Sequence, residues 1–286
     1  MKIFELNAPF VTPRDIELPP VDKYGMFHGQ YYRPLDEARI VRGSTRTVFS
    51  GLKFDRRFEG LSTNETRIIT ALQFHPYIID IREQYATCDE RTLHLALRHG
   101  ERMKRLQMTT VDVIVTFVLP NSKVLHYHTI SIKPADHVPD KADLERERKE
   151  ENFMAQLGST WELILGDAIS QRQHVNNLVL LSYVLETDIY AWYDAAGKFS
   201  RILLRSDRTK GMAGDVLDRV SRRAGVSLSD AFRLFAVGVA FGFLRLDHSM
   251  PFSKDHSLFL DDGTAQSRRT PVASTPTSLL MSGGWL

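Results

Sequence analysis

The densest run of β-branched residues lies between Thr109 and Ile132. It reads Thr-Thr-Val-Asp112-Val-Ile-Val-Thr-Phe-Val-Leu, then Pro-Asn-Ser-Lys, then Val-Leu-His-Tyr-His-Thr-Ile-Ser131-Ile-Lys133-Pro. Two such runs around Pro120-Asn121-Ser122-Lys123 predict an antiparallel hairpin. A turn centred on Asn121 and Ser122 sets Asp112 opposite Ser131. Lys133 then lies two residues further along the same side of the pleat.

Upstream, Ser62-Thr-Asn-Glu65 is a capping box, with Ser at N-cap and Glu at N3. Ile68, Ile69, Leu72 and Phe74 follow at helical spacing, and Pro76 ends the helix. Tyr77 to Tyr85 reads as a strand, apolar at Ile79 and Ile81 and polar at Asp80 and Arg82. Arg91 to Met103 has no clear period and reads as a loop insertion. Downstream, Asp140 to Asn152 alternates opposite charges at helical spacing, with Leu144, Phe153, Met154 and Leu157 as an apolar edge and Gly158 as C-cap. Trp161 to Leu165 is a short buried strand.

The rest of the chain predicts a second unit. Asn177 to Tyr193, Met212 to Ala224 and Ser229 to Gly238 carry helical patterns, with a Gly225-Val-Ser227 turn between the last two. Phe243 to Asp247 and Ser257 to Leu260 read as a hairpin. Helices closing on a hairpin describe a winged-helix-like domain. The expected organisation is an N-terminal arm over 1–60, a mixed α/β domain over 61–170, the winged-helix-like domain over 171–260, and a disordered tail over 261–286 rich in Ser, Thr, Gly and Pro.

The 286 residues carry a net charge of only +2, so the molecule as a whole is no polycation. The charge is uneven. Arg39 to Arg57 holds six cations against Asp55 alone, and Lys198 to Arg223 holds eight against three acids. Such stretches suit phosphate contact or plain solvated surface. Arg42, Arg46, Arg56, Arg57, Arg219, Arg222 and Arg223 are the candidate DNA contacts. The one cysteine, Cys88, excludes an intramolecular disulfide and a cysteine-built zinc site, and fits a reducing cytoplasm. Met1 to Pro9 has no signal-peptide core, and Leu234 to Leu244 is too short to span a bilayer, so no membrane partner is expected.

Asp112 sits between Val111 and Val113, where aspartate is depleted. A carboxylate, a hydroxyl and a lysine on one sheet face suit metal-assisted phosphodiester hydrolysis. From the hairpin alone, the trio reads first as a cross-strand salt bridge on a solvated face. Glu65 has a structural role of its own in the capping box, and Glu150 lies in a charge-rich helix that suits solvent. His126 and His128 share the face opposite Ser131 and Lys133, where a zinc pair is the lesser reading.

These residues resemble a family. Glu65, Ile79-Asp-Ile-Arg-Glu-Gln84, Asp112 and Ile132-Lys-Pro-Ala135 are similar to the TnsA endonuclease subunit of heteromeric cut-and-paste transposases, over roughly residues 50 to 260. The resemblance implies a restriction-endonuclease-like nuclease domain. It implies magnesium-dependent cutting of double-stranded DNA at the 5′ ends of an element, with manganese as a substitute. It implies an integrase-like partner, TnsB, an ATP-dependent regulator, TnsC, and a prokaryotic cytoplasm. By position, Glu65, Asp112 and the Ile132 carbonyl hold metal, Lys133 is the catalytic lysine, and Glu150 is an accessory acid. One departure stands out: the family has Gln where this chain has Ser131, a short neutral donor that would act through water. A stand-alone restriction or repair endonuclease and a non-catalytic DNA-binding protein with a decayed nuclease fold are the alternatives.

Overall fold

A computed structural model describes residues 1–6, 10–36, 45, 47–104, 107–206 and 211–261. Arg42, Arg46 and nearly all of the tail lie outside the described residues.

The central layer is a mixed four-stranded sheet in the order β3-β4-β5-β6. Its strands are β3 (Ile78–Cys88), β4 (Met108–Phe117), β5 (His126–Lys133) and β6 (Ser159–Leu165). The first three pair antiparallel, and β6 joins β5 in parallel. A parallel neighbour needs a crossover, which α3 (Lys141–Gln156) supplies. Before the sheet come a small hairpin, β1 (Thr47–Ser50) with β2 (Arg57–Gly60), and helix α1 (Thr63–Gln73).

The expected register holds. Val113 faces Ile130 and Phe117 faces His126, and that register continued sets Asp112 opposite Ser131. The turn itself sits one residue early. Ser122 N–H donates to the Leu119 carbonyl at 3.1 Å, so Pro120 and Asn121 are its central residues. Asn121 takes φ +59, the left-handed value that the third position of a type II turn requires. The strands stop pairing before the turn, so this shift leaves the register unchanged.

Helix α1 starts at the expected cap, where Ser62 Oγ accepts Glu65 N–H. Its apolar side, Ile68, Ile69 and Leu72, packs with Val113, Val115, Ile130 and Ile164 on one face of the sheet. The other face carries Ile114 and Tyr127, packed with Phe153, Met154 and Leu157 from α3. Helix α3 is capped by Asp140 and stops at Gly158, which takes φ +68.

The arm wraps onto the exposed edge of β3. Leu35 N–H bonds the Gln84 carbonyl at 3.2 Å, covering an edge that would otherwise stay open to pairing. Asp22 Oδ2 takes Arg82 Nη1 at 2.7 Å and Tyr85 OH at 2.6 Å, tying the arm to the interior of β3. The expected loop insertion after β3 is instead helix α2 (Glu90–His99). Asp89 starts it by accepting Thr92 N–H at 2.9 Å.

Four helices follow: α4 (Gln171–Ser182), α5 (Tyr193–Leu204), α6 (Ala213–Ala224) and α7 (Leu228–Ala240). They share one apolar core, which Leu52 and Phe74 also enter. The single helix expected over 177–193 is broken. Glu186 takes φ +55, and Asp188 binds the N–H of Tyr190 at 3.0 Å, local bonds that compete with helix. The expected closing hairpin reduces to one antiparallel bridge, Leu246 to Leu260, flanked by bonds from Asp247 N–H to Phe259 and from Asp261 N–H to Arg245. The turn between α6 and α7 is as expected, with Gly225 in the left-handed region at φ +68. Among the described residues, no helix is long and apolar enough to cross a membrane.

Candidate functional site

The site forms at the end of the sheet where β4 and β5 separate. Asp112 stands one residue beyond the last β4–β5 pair. Its Oδ2 accepts the Ile132 N–H at 2.6 Å. In an extended strand the N–H and C=O of one residue point to the same lateral side. The Ile132 carbonyl therefore points toward Asp112 as well, into the opening between the strands.

Glu65 reaches this opening from the first turn of α1. Its Oε1 accepts Ser62 Oγ–H at 3.0 Å. Its Oε2 accepts Leu61 N–H at 3.1 Å and Gln84 Nε2–H at 3.3 Å. The cap and the site thus share one carboxylate, and Oε1 keeps a lone pair free. Burial pushes the Glu65 carboxyl above its usual range, the Leu61 N–H opposes that, and the nearby Asp112 charge adds to the rise. Burial raises Asp112 too, against the pull of the Ile132 N–H and the Lys133 ammonium. Glu150 is raised by burial, relieved by the Trp161 indole N–H at 3.2 Å, and feels both Asp112 and Lys133. Asp112 therefore lies within electrostatic reach of Glu65, Lys133 and Glu150. Ser131 shares this corner but is only 3% exposed.

Glu150 is held by Trp161 rather than lying free on a solvated helix face. His128 is buried between Thr160 Oγ1 and Glu162 Oε1, both at 2.8 Å, which accounts for both ring nitrogens without a metal.

Gln84, the last residue of the Asp-Ile-Arg-Glu-Gln string, was not singled out as a site residue from the sequence, and the structure brings it to Glu65. Glu83 faces Val113 and Tyr85 faces Val111, so Gln84 stands opposite Asp112. Its neighbours form a buried polar network. Asp80 is held near Arg82, with Nε 3.4 Å from Oδ2, and burial raises its pKa to about 6.

The basic candidates divide. Arg56 is not a surface arginine. Its guanidinium makes a two-bond pair with Glu83 at 2.9 and 2.6 Å, lies 3.9 Å over the Phe58 ring, and is buried. Arg57 is exposed on β2. On α6, Arg222 is exposed but paired with Asp218, and Arg223 Nη1 reaches Ser206 Oγ at 3.4 Å. Helix α7, which would follow the turn as a groove-reading helix, is buried over most of its length. A basic end that the sequence pattern hid lies on the α2 insertion, where Arg98, Arg102 and Lys104 are exposed. It projects from Cys88 and Met108, four residues and roughly 13 Å along β4 from Asp112.

Among the described residues, no three of His, Cys, Asp and Glu are grouped to hold a metal ion. Glu65, which is buried, and Asp112, which is half-buried and close enough to raise its pKa, are nonetheless the kind of donor pair a divalent cation relieves. Magnesium commonly takes only one or two carboxylates and fills its other positions with water and phosphate oxygens. The donors fit magnesium on those terms. No protein-family model matches the chain, and no curated protein matches it in sequence.

Proposed function

We propose that this chain is a magnesium-dependent DNA endonuclease of the TnsA kind, cutting the 5′ ends of a transposon together with an integrase-like, TnsB-like subunit and an ATP-dependent, TnsC-like regulator. The observation that carries the reading is Asp112 taking the Ile132 N–H where the strands part, with Glu65 and Lys133 each near enough to act on its charge. The order α1, β3, β4, β5, α3, β6 around a sheet with one parallel pair is compatible with a restriction-endonuclease-like core. The four C-terminal helices with their two isolated bridges would be the counterpart of the winged-helix-like domain.

Glu65, Asp112 and the Ile132 carbonyl would hold the cation, which when bound supplies Lewis-acid polarisation of the scissile phosphate. Lys133 places a positive charge beside Asp112, where it stabilises negative charge growing on the phosphate oxygens. Ser131 orders water at the same corner. Glu150, fixed by Trp161, keeps a further acceptor within reach of Lys133 and Asp112. The exposed cations on α2 and β2 give phosphates a landing surface around the site.

The test is cleavage of element-end DNA with magnesium, with and without the partner subunits. Cleavage at the 5′ ends that needs the partners supports the reading. Strong, sequence-indiscriminate cleavage by the chain alone supports a stand-alone nuclease instead. The feature that favours a second reading, a DNA-binding protein with a decayed site, is Ser131, a short neutral side chain and a weak donor for magnesium. DNA binding with no cleavage under any partner or metal condition would establish that one.

A further inference from the structure

We propose that Gln84 is a positioning residue of the cation site, holding Glu65 with its amide N–H and turning its amide oxygen toward the opening beside Asp112. The inference rests on the nuclease reading and deepens it.

Three non-glycine residues among those described have positive φ: Asn121, Glu186 and Gln84. The first two lie in turns. Gln84, at φ +45, lies inside strand β3, where a side chain resists this backbone. Strain of this kind persists only where the surroundings enforce it, and it gathers at working sites. Here the surroundings do enforce it. The Gln84 carbonyl is pinned by Leu35 N–H at 3.2 Å, and its side chain is pinned by Glu65 at 3.3 Å. The residue stands opposite Asp112, which in turn stands opposite Ser131, so the three form one row across β3, β4 and β5.

The amide has only one sensible orientation. An ionised carboxylate can only accept, so the end facing Glu65 is Nε2 and the oxygen faces away from it. That oxygen takes no hydrogen bond from the described residues, yet it is not sealed from solvent. Gln84 is only 4% exposed, so this unused acceptor is held in a confined corner beside the Glu65 carboxylate. Simple capping of α1 accounts for neither the backbone strain nor that open acceptor. Ser62 and Leu61 already complete the cap.

The experiment measures cation affinity of the full chain without DNA, by electron paramagnetic resonance of free manganese and by the magnesium-dependent shift in Tm. Two variants separate shape from chemistry. Gln84→Met keeps the size and removes the amide, and Gln84→Gly relaxes the positive φ. Both are expected to weaken manganese binding about tenfold or more, the usual effect of removing a residue that orients a ligand. The metal-free Tm of Gln84→Gly should stay at or above that of the parent. The magnesium needed for half-maximal cleavage should rise more than the rate at saturating magnesium falls. Parent-like manganese affinity in both variants overturns the role of Gln84 and leaves the nuclease reading intact. A parent that binds manganese no better than Asp112→Ala overturns both.

Discussion

Asp112 Oδ2 accepts the Ile132 backbone N–H at 2.6 Å, one residue past the last main-chain pair of β4 and β5. A side chain thus closes the sheet where the strands part, and it carries the negative charge of the site. Asp112→Asn should separate these two roles. Its amide oxygen still accepts the Ile132 N–H, so urea unfolding should stay close to the parent. Cleavage should fall by about a hundredfold or more, because the charge that acts in the transition state is gone. Asp112→Ala should lose the same activity and also about 1–3 kcal/mol of stability, since a buried N–H is left unpaired. An Asp112→Asn protein that cuts like the parent would remove Asp112 from the chemistry.

The pH dependence follows from the raised carboxyls. Glu65 and Asp112 both hold their protons to higher pH than an ordinary carboxylate, chiefly through burial. Only the ionised forms bind a cation. Magnesium affinity and cleavage should therefore weaken as pH falls, starting above the usual carboxylate range. In stability the sign is reversed: a carboxyl raised on folding favours the folded state at low pH, and that contribution fades as pH rises through the raised value. Asp80, raised to about 6, acts the same way between its ordinary value of 3.8 and about 6. Added magnesium should offset the loss near neutral pH. Magnesium titrations of Tm at pH 5.5 and 8 check this, and an equal magnesium effect at both values would contradict it.

Ser131 should matter little to the rate. It is buried and neutral, and a hydroxyl acting through water is replaceable by water. Ser131→Ala should cost about tenfold or less, while Lys133→Ala should cost about a hundredfold or more without loss of DNA binding. A Ser131→Ala enzyme as inactive as Asp112→Ala would make the hydroxyl a direct ligand.

Arg56 belongs to folding rather than to DNA contact. Breaking a buried ion pair leaves an uncompensated charge, which costs about 3–5 kcal/mol. Glu83→Ala should show that loss in thermal or urea unfolding. Replacing both members, Arg56→Met with Glu83→Leu, should recover much of it. Full parental stability in Glu83→Ala would show that the pair is not buried in solution.

Much of the sheet-bearing half was legible because its signals are local. The cap at Ser62 needs only four residues, and the hairpin register follows from two β-branched runs. Asp112 announced itself as an acid among valines. The fate of Arg56 was not legible, because its partner Glu83 is distant in sequence and its burial depends on Phe58 and Tyr32 closing over it. Gln84 read as one more polar residue of β3, and its positive φ arises from tertiary bonds to Leu35 and Glu65. Helix α2 was missed because three leucines among charged residues gave no clean stripe. The break between α4 and α5 rests on Asp188 and Glu186, whose local bonds outweigh an apolar pattern that would also suit a helix.

DNA is expected to meet the basic end of the α2 insertion rather than the α6 arginines. The sequence weighted Arg219, Arg222 and Arg223, but Arg222 is paired with Asp218 and Asp215 is exposed on the same helix. Such a face offers phosphates little net charge. Arg98, Arg102 and Lys104 stand at the end of the α2 insertion, with Glu101 the one acid from 98 to 104 and Asp89 at the opposite end of the helix. They also sit in the connection from β3 to β4, the strand that carries Asp112, so a duplex lying across the site and along β4 would pass them. Every phosphate deprived of its cationic partner lowers the slope of log affinity against log salt by about 0.9. The triple variant Arg98→Ala, Arg102→Ala, Lys104→Ala should therefore flatten that slope by roughly 2–3 and weaken binding at low salt. Arg219→Ala, Arg222→Ala, Arg223→Ala should change it by about 1 or less. Fluorescence anisotropy on an Asp112→Ala background keeps the DNA intact while both sets are measured. An unchanged slope for the α2 set with a large change for the α6 set would return the DNA to the C-terminal helices.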